Sequence, residues 1–149
     1  LSTAYLGYDA MRAAVSPVGI GVRVMLVRDN NVLLVYHSYV ARWFFPGGSM
    51  KRNETPADTA VREVAEEAGA IVSGPVELLG IYTSNHKRRS DHIAMFVVRD
   101  FDLQPPTDRW EIIGRAFFSL DALPPDFGRG FREVVADYKR GGGPFVRAW

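Results

Sequence analysis

The chain has 149 residues, 47% of them hydrophobic and 23% charged, with a formal net charge of +1. That length suits one domain with its own core, the composition excludes disorder as the dominant state, and the near-neutral charge excludes a nucleic-acid footprint spread over the whole surface. With no cysteine, disulfides and thiolate metal sites are excluded and a cytoplasmic location is expected.

Residues 18–28, VGIGVRVMLVR, and 31–36, NVLLVY, are β-branched, apolar runs separated by a polar Asp29-Asn30 turn, and they predict a hairpin. A short aromatic strand, RWFF, then runs into Pro46-Gly47-Gly48, which neither strand nor helix continues through. Residues 56–69 predict a helix marked at both ends. Thr55 is the N-cap, Pro56 the first helical residue, Asp58 the partner of a Thr-x-x-Asp cap, and Gly69 the stop. Ala57, Ala60, Val61, Val64, Ala65 and Ala68 form an apolar stripe of mostly small side chains, suited to close packing on a sheet.

Strands are predicted over 76–84, 91–101 and 112–120, and an amphipathic helix over 131–140 with Val134, Val135 and Tyr138 inward. There are too few helices to cross over between every strand pair, so the order implies an α+β layered fold with a mixed sheet. Gly141-Gly142-Gly143-Pro144 detaches a short tail, FVRAW, whose order the pattern does not determine. No apolar run reaches the roughly 18 residues of a membrane span, and no basic stretch followed by an apolar core opens the chain at Leu1. No membrane partner or leader is expected.

The stretch REVAEEAG sets Glu63, Glu66 and Glu67 on one helix face, at spacings of three and four residues. Like charges at those spacings repel by about 0.2–0.5 kcal/mol per pair, and the last turn of a helix disfavours anions. Alone, such a run is an ordinary solvated face. A hard divalent cation removes the conflict, because clustered oxygens are what Mg²⁺ or Mn²⁺ requires. Mg²⁺ bound by a few carboxylates commonly completes its shell with substrate phosphates, which points to hydrolysis or transfer at phosphorus.

From Gly48 the sequence reads G-SMKRN-E-TPADTAV-R-E-V-A-E-E-A-G-A. It resembles the Nudix box, G-x5-E-x7-R-E-U-x-E-E-x-G-U with U a bulky aliphatic residue. Gly48, Glu54, Arg62, Glu63, Val64, Glu66, Glu67 and Gly69 meet it, and Ala70 departs from it only at the final aliphatic position. With the Trp-x-x-Pro-Gly-Gly entry, the resemblance extends over roughly residues 17–140. It implies a MutT-like Nudix hydrolase spanning 1–149, with 1–16 as an N-terminal extension and 141–149 as a C-terminal tail, in an α/β/α sandwich around a mixed sheet.

The resemblance implies hydrolysis of a nucleoside diphosphate linked to a moiety X, with Mg²⁺ or Mn²⁺ as cofactor. Glu66 and Glu67 would be the principal metal ligands, Glu63 a ligand or water-orienting base, and the Gly48 carbonyl a further ligand. Arg62 and Glu54 would be the ion pair that orients the carboxylates. Glu111 is the candidate for a further catalytic Glu, and the choice of base between Glu111 and Glu63 is open. Lys51, Arg52, Arg88 and Arg89, with Lys87, are the basic residues available for phosphate binding. Trp43, Phe44, Tyr82 and Trp110 are the aromatics available for a base, with sheet packing the expected fate of Phe44.

Markers of particular substrates are absent after the box: Ser84 and Asn85 stand where ADP-ribose hydrolases carry Pro, and Lys87 and Arg88 where dinucleoside polyphosphate hydrolases carry Tyr. X is therefore open. A nucleotide-binding sensor module that has lost turnover is the rival reading, and intact Glu63, Glu66 and Glu67 weigh against it. Decapping of RNA is disfavoured by the lack of an extended basic stripe. The expected partner is a nucleotide-linked small molecule rather than a specific nucleic acid, and dimers are common among similar proteins, so a homodimer is a further expectation.

Overall fold

The computed structural model describes residues 10–11, 18–86 and 89–149, apart from the side chains of His86 and Arg89. β1 (Val18–Arg28) and β2 (Asn31–His37) form the expected hairpin, with Leu26 opposite Leu33. β3 (Arg42–Phe44) and β4 (Gly47–Ser49) flank the Pro46 turn, and α1 (Pro56–Ala68) follows. Then come β5 (Ala70–Val72), β6 (Glu77–His86), β7 (Arg89–Val98), β8 (Phe101–Leu103), β9 (Ile112–Ser119), α2 (Arg129–Arg140) and β10 (Phe145–Ala148).

The main sheet runs β10-β6-β7-β1-β2-β3, with β4 on β1 and β9 on β2, and β5 pairs with β8 apart from it. β1 is parallel to β7, and β10 to β6, while β1–β2 and β6–β7 are antiparallel. The sheet is mixed, as the element order implies.

Side-chain alternation along the central strands builds both layers. On β1 and β2, Val22, Val24, Leu26, Leu33 and Val35 pack with Ala60, Val64 and Ala68 of α1. Met25, Val27, Val32 and Leu34 face the opposite side, where Phe45, Val134 and Val135 of α2 lie. Each such side chain contributes about 1.5–3 kcal/mol on full burial. β1 and β2 are therefore apolar on both faces, which is why their sequences read as continuous runs rather than alternating ones.

Three features depart from the sequence expectation. β4, β5 and β8 are three residues long, too short for a periodic signal. On α1, Ala57 and Val61 are exposed, and the buried line is Ala60, Val64 and Ala68 with Thr59 and Glu67 beside it. The packed face is thus turned toward the carboxylates: at 100° per residue Glu67 lies about 20° from Ala60, flanking the stripe instead of opposing it.

The third departure is the C-terminal segment, which joins the sheet. Phe145–Ala148 pairs with Gly80–Thr83, and Trp149 stacks on Tyr82 with centroids 5.2 Å apart. Beneath them Asp137, buried on α2, accepts the Tyr82 hydroxyl at 2.9 Å and ion-pairs with Arg140 and Arg147 at 3.0 Å each. Burial first, and then the Asp137 carboxylate, hold the Tyr82 phenol above its ordinary pKa.

Asp137→Ala leaves the buried Tyr82 hydroxyl unpaired, and the loss expected is about 1–3 kcal/mol of stability. Urea unfolding checks this: the midpoint falls while the slope is kept.

Candidate active site

The Pro-Gly-Gly entry is fastened to β1 before it meets the helix. Val24 donates its amide to the Pro46 carbonyl at 2.9 Å, and the Arg23 guanidinium donates to the carbonyls of Phe45 at 3.0 Å and Gly47 at 3.4 Å. Held this way, the Gly47 N–H points at α1 and donates to Glu67 Oε2 at 2.9 Å. Gly48 packs against Glu63, where a Cβ would come within 2.5 Å of a carboxylate oxygen. Nothing larger than glycine fits between β4 and that carboxylate as it stands.

Arg62 joins the remaining carboxylates. Its Nε and one terminal nitrogen grip both oxygens of Glu54 at 2.5 and 2.9 Å, while the other terminal nitrogen reaches Glu63 at 2.7 Å and Glu66 at 3.3 Å. The planar fork of arginine permits this division, which a lysine cannot reproduce. Glu54 also accepts the Lys51 amide at 3.0 Å and the Thr59 hydroxyl at 2.8 Å. The Arg62 hydrogen bond foremost, then that amide, hold the Glu54 carboxyl down at about 2.

Burial pushes the Glu63 carboxyl above its ordinary range, opposed by Arg62 and reinforced by Glu67 and Glu66. Exposure differs sharply among the three: the Glu67 side chain is 6% exposed, that of Glu63 12% and that of Glu66 43%. The capping box is complete, with Asp58 donating its amide to the Thr55 hydroxyl at 3.1 Å and accepting the Thr55 amide at 2.9 Å. A cap of this kind contributes about 1 kcal/mol.

The carboxylates in the last turn are relieved by groups that sequence reasoning missed. Arg115, from β9, donates to the carbonyl of Ala68 and, at 2.7 Å, to that of Gln104. It thus places a cation at the negative end of the helix dipole. The Thr107 and Asp108 amides donate to the Glu66 carbonyl at 3.1 and 2.9 Å. That latch brings in the loop bearing Glu111, and the Glu111 carbonyl accepts the Ser38 amide at 2.9 Å.

One result is a trio: His37, Glu67 and Glu111 each offer a ligand atom, and the atoms lie within 4.8 Å of one another. His37 Nε2 is buried with no hydrogen-bond partner among the described residues, 3.7 Å from Glu67 Oε1. A histidine at the end of an apolar strand gives no sequence signal for this placement. Clustered carboxylate oxygens and an orphaned imidazole nitrogen fit a divalent cation.

Of the basic residues, Lys51 and Arg52 are exposed in the turn before α1. Lys87, Arg88 and the Arg89 side chain lie outside the described residues. Among the aromatics, Tyr82 is buried, which removes it as a base-stacking residue. Trp43 packs edge-on against Tyr36 and Phe118, and Phe44 against His37 and Phe131. Trp110, next to Glu111, is 86% exposed.

Residues 17–138 match the NUDIX domain family, to which the chain therefore belongs. It is similar to human diphosphoinositol polyphosphate phosphohydrolase 3-beta, 48% identical over 64 residues that make up 42% of this chain and 38% of that protein. The matched region thus spans well under half of the relative's length. Among solved structures, a NUDIX hydrolase from Nitrosomonas europaea superposes with a TM-score of 0.69 at 25% identity, covering 88% of this chain and 78% of the other. A MutT NUDIX hydrolase from Burkholderia pseudomallei gives 0.72 at 20% identity, covering 80% and 97%, a likeness of fold. Among the described residues, no helix is long and apolar enough to cross a membrane.

Because the Glu54 carboxyl is depressed in the folded state, its stabilising contribution is present in full above its ordinary value of 4.5 and is lost as pH falls toward about 2. Glu54→Gln is therefore expected to lower thermal stability near neutral pH, with the gap from wild type closing across that interval. Melting curves from pH 7 to pH 2 measure it.

Proposed function

We propose that the chain is a divalent-cation-dependent pyrophosphohydrolase acting on a nucleoside diphosphate linked to a further moiety. The observation that carries this reading is the division of the helix carboxylates, with Glu63 and Glu66 on one nitrogen of Arg62 and Glu67 buried on the Gly47 amide. Glu63, Glu66, Glu67 and the Gly48 carbonyl would hold Mg²⁺ or Mn²⁺. Such a cation, when bound, neutralises phosphate charge and lowers the pKa of an attacking water.

The chain's own groups supply the rest. Glu54 fixes the Arg62 fork, and Arg62 in turn keeps Glu63 and Glu66 from swinging apart. Glu63, whose pKa is raised by burial, and Glu111, on the latched loop, are the two carboxylates able to take the water's proton. Lys51, Arg52, Arg88 and Arg89 are the cations for the substrate's phosphates.

A panel of nucleoside diphosphate derivatives assayed with Mg²⁺ and Mn²⁺ tests this. Turnover is expected on at least one member, falling by about 10–100-fold in Glu54→Gln, which disturbs only the support of the ligands, and further in Glu67→Gln. No turnover above the Glu67→Gln control on any member would favour a binding module. Between Glu63→Gln and Glu111→Gln, the variant with the greater loss of turnover at saturating Mn²⁺ identifies the base.

A second reading follows from the match to the diphosphoinositol polyphosphate phosphohydrolase, whose name describes a substrate with a phosphoanhydride but no nucleobase. Trp110 separates the two, since an exposed indole can stack on a base and has no such partner in an inositol. Stacking worth about 1–3 kcal/mol makes Trp110→Ala raise KM about tenfold or more for a nucleoside substrate. For a diphosphoinositol polyphosphate KM is expected to be unchanged.

A further inference from the structure

β2 ends in a bulge. Its pairing with β9 shifts between Tyr36, opposite Gly114, and His37, opposite Ile112. Such an irregularity re-aims the side chain that follows it. Here that side chain is His37, seated edge-on against Phe44 with centroids 5.4 Å apart. Its Nε2 is closed off from solvent and makes no hydrogen bond among the described residues. A buried nitrogen left unsatisfied is unfavourable, which calls for a partner.

His37 Nε2 faces Glu67 Oε1 at 3.7 Å, which is too long for a hydrogen bond. It is a suitable distance for two ligands of one ion. Donors about 2.1 Å from a cation lie about 3 Å apart when adjacent and about 4.2 Å apart when opposed. Glu111 closes the group, with the three donor atoms within 4.8 Å of one another, so small side-chain movements bring all three onto one centre. The three come from different elements: His37 from the end of β2, Glu67 from α1, and Glu111 from the loop that the Glu66 carbonyl and the Ser38 amide hold in place.

We propose that His37, Glu67 and Glu111 form a mixed imidazole–carboxylate site for a divalent transition-metal ion, sharing Glu67 with the carboxylate cluster of α1. This rests on the reading of the chain as a metal-dependent hydrolase and adds a nitrogen ligand to it. An imidazole ligand shifts selectivity away from Mg²⁺, which favours all-oxygen shells, toward Mn²⁺ and the later metals.

The test is pulsed electron paramagnetic resonance on the whole chain loaded with Mn²⁺. Wild type is expected to show modulation from a directly bound imidazole ¹⁴N, replaced by the ¹⁵N pattern when only histidine is labelled. His37→Gln is expected to abolish it and to weaken Mn²⁺ about tenfold or more while leaving Mg²⁺ affinity nearly unchanged. If that variant folds poorly, His86→Gln and His92→Gln decide the matter, because the chain has three histidines and coupling kept in both assigns it to His37, whereas coupling lost in either overturns the site. Bound Mn²⁺ without nitrogen coupling, or coupling that persists in His37→Gln, overturns the site while the hydrolase reading stands. Coupling in a chain that turns over no substrate sinks the hydrolase reading and leaves the site. Failure to bind Mn²⁺ at all overturns this proposal.

Discussion

One guanidinium makes the carboxylate helix possible. Arg62 serves Glu54 with two nitrogens and both Glu63 and Glu66 with the third, and it also donates to the Ser49 carbonyl at 3.2 Å. The strand before the loop, the loop itself and the helix after it thus converge on one planar group. A helix face with several like charges is unfavourable in isolation. With a fixed, delocalised cation among them the same charges become a positioned array, and the hydrogen bond from that cation is the foremost cause of the depressed Glu54 carboxyl.

The far end of the helix meets a related problem with different means. The last turn of α1 contains no basic residue, yet Glu66 and Glu67 lie near it. The opposing charge comes from across the sheet, as Arg115 of β9 reaches the terminal carbonyls. Gly69, in the left-handed conformation at φ 65°, returns its amide to Ala65 and turns the chain into β5. A Cβ there would fall 1.9 Å from the Gln104 carbonyl oxygen, so the turn that frees the helix end also admits the incoming loop.

The sequence disclosed the box with its charged positions because those residues are local: one helix and the loop before it, marked by caps that the structure reproduces bond for bond. It also disclosed the mixed character of the sheet and the buried Val134 and Val135 of α2. It did not disclose His37 or Arg115, since each acts across a separation at which no periodicity operates. Val61 and Ala57 were misassigned to the packed face because small and apolar side chains there fitted helical spacing equally well. What turned the helix toward its carboxylates is the Gly47 amide accepted by Glu67, a contact set by tertiary structure. The short C-terminal strand gave no signal for a similar reason, since its pairing partner Gly80–Thr83 and the Tyr82 ring that Trp149 stacks on lie far upstream.

The two amides that the Glu66 carbonyl receives from Thr107 and Asp108 have a mechanical consequence. They clamp the loop of Trp110 and Glu111 to the very turn that carries Glu66 and Glu67, as the two arms of a calliper share one pivot. The same loop is also tied to the sheet, since the Glu111 carbonyl accepts the Ser38 amide, so it straddles both layers and a tilt of α1 against the sheet works against one tie or the other.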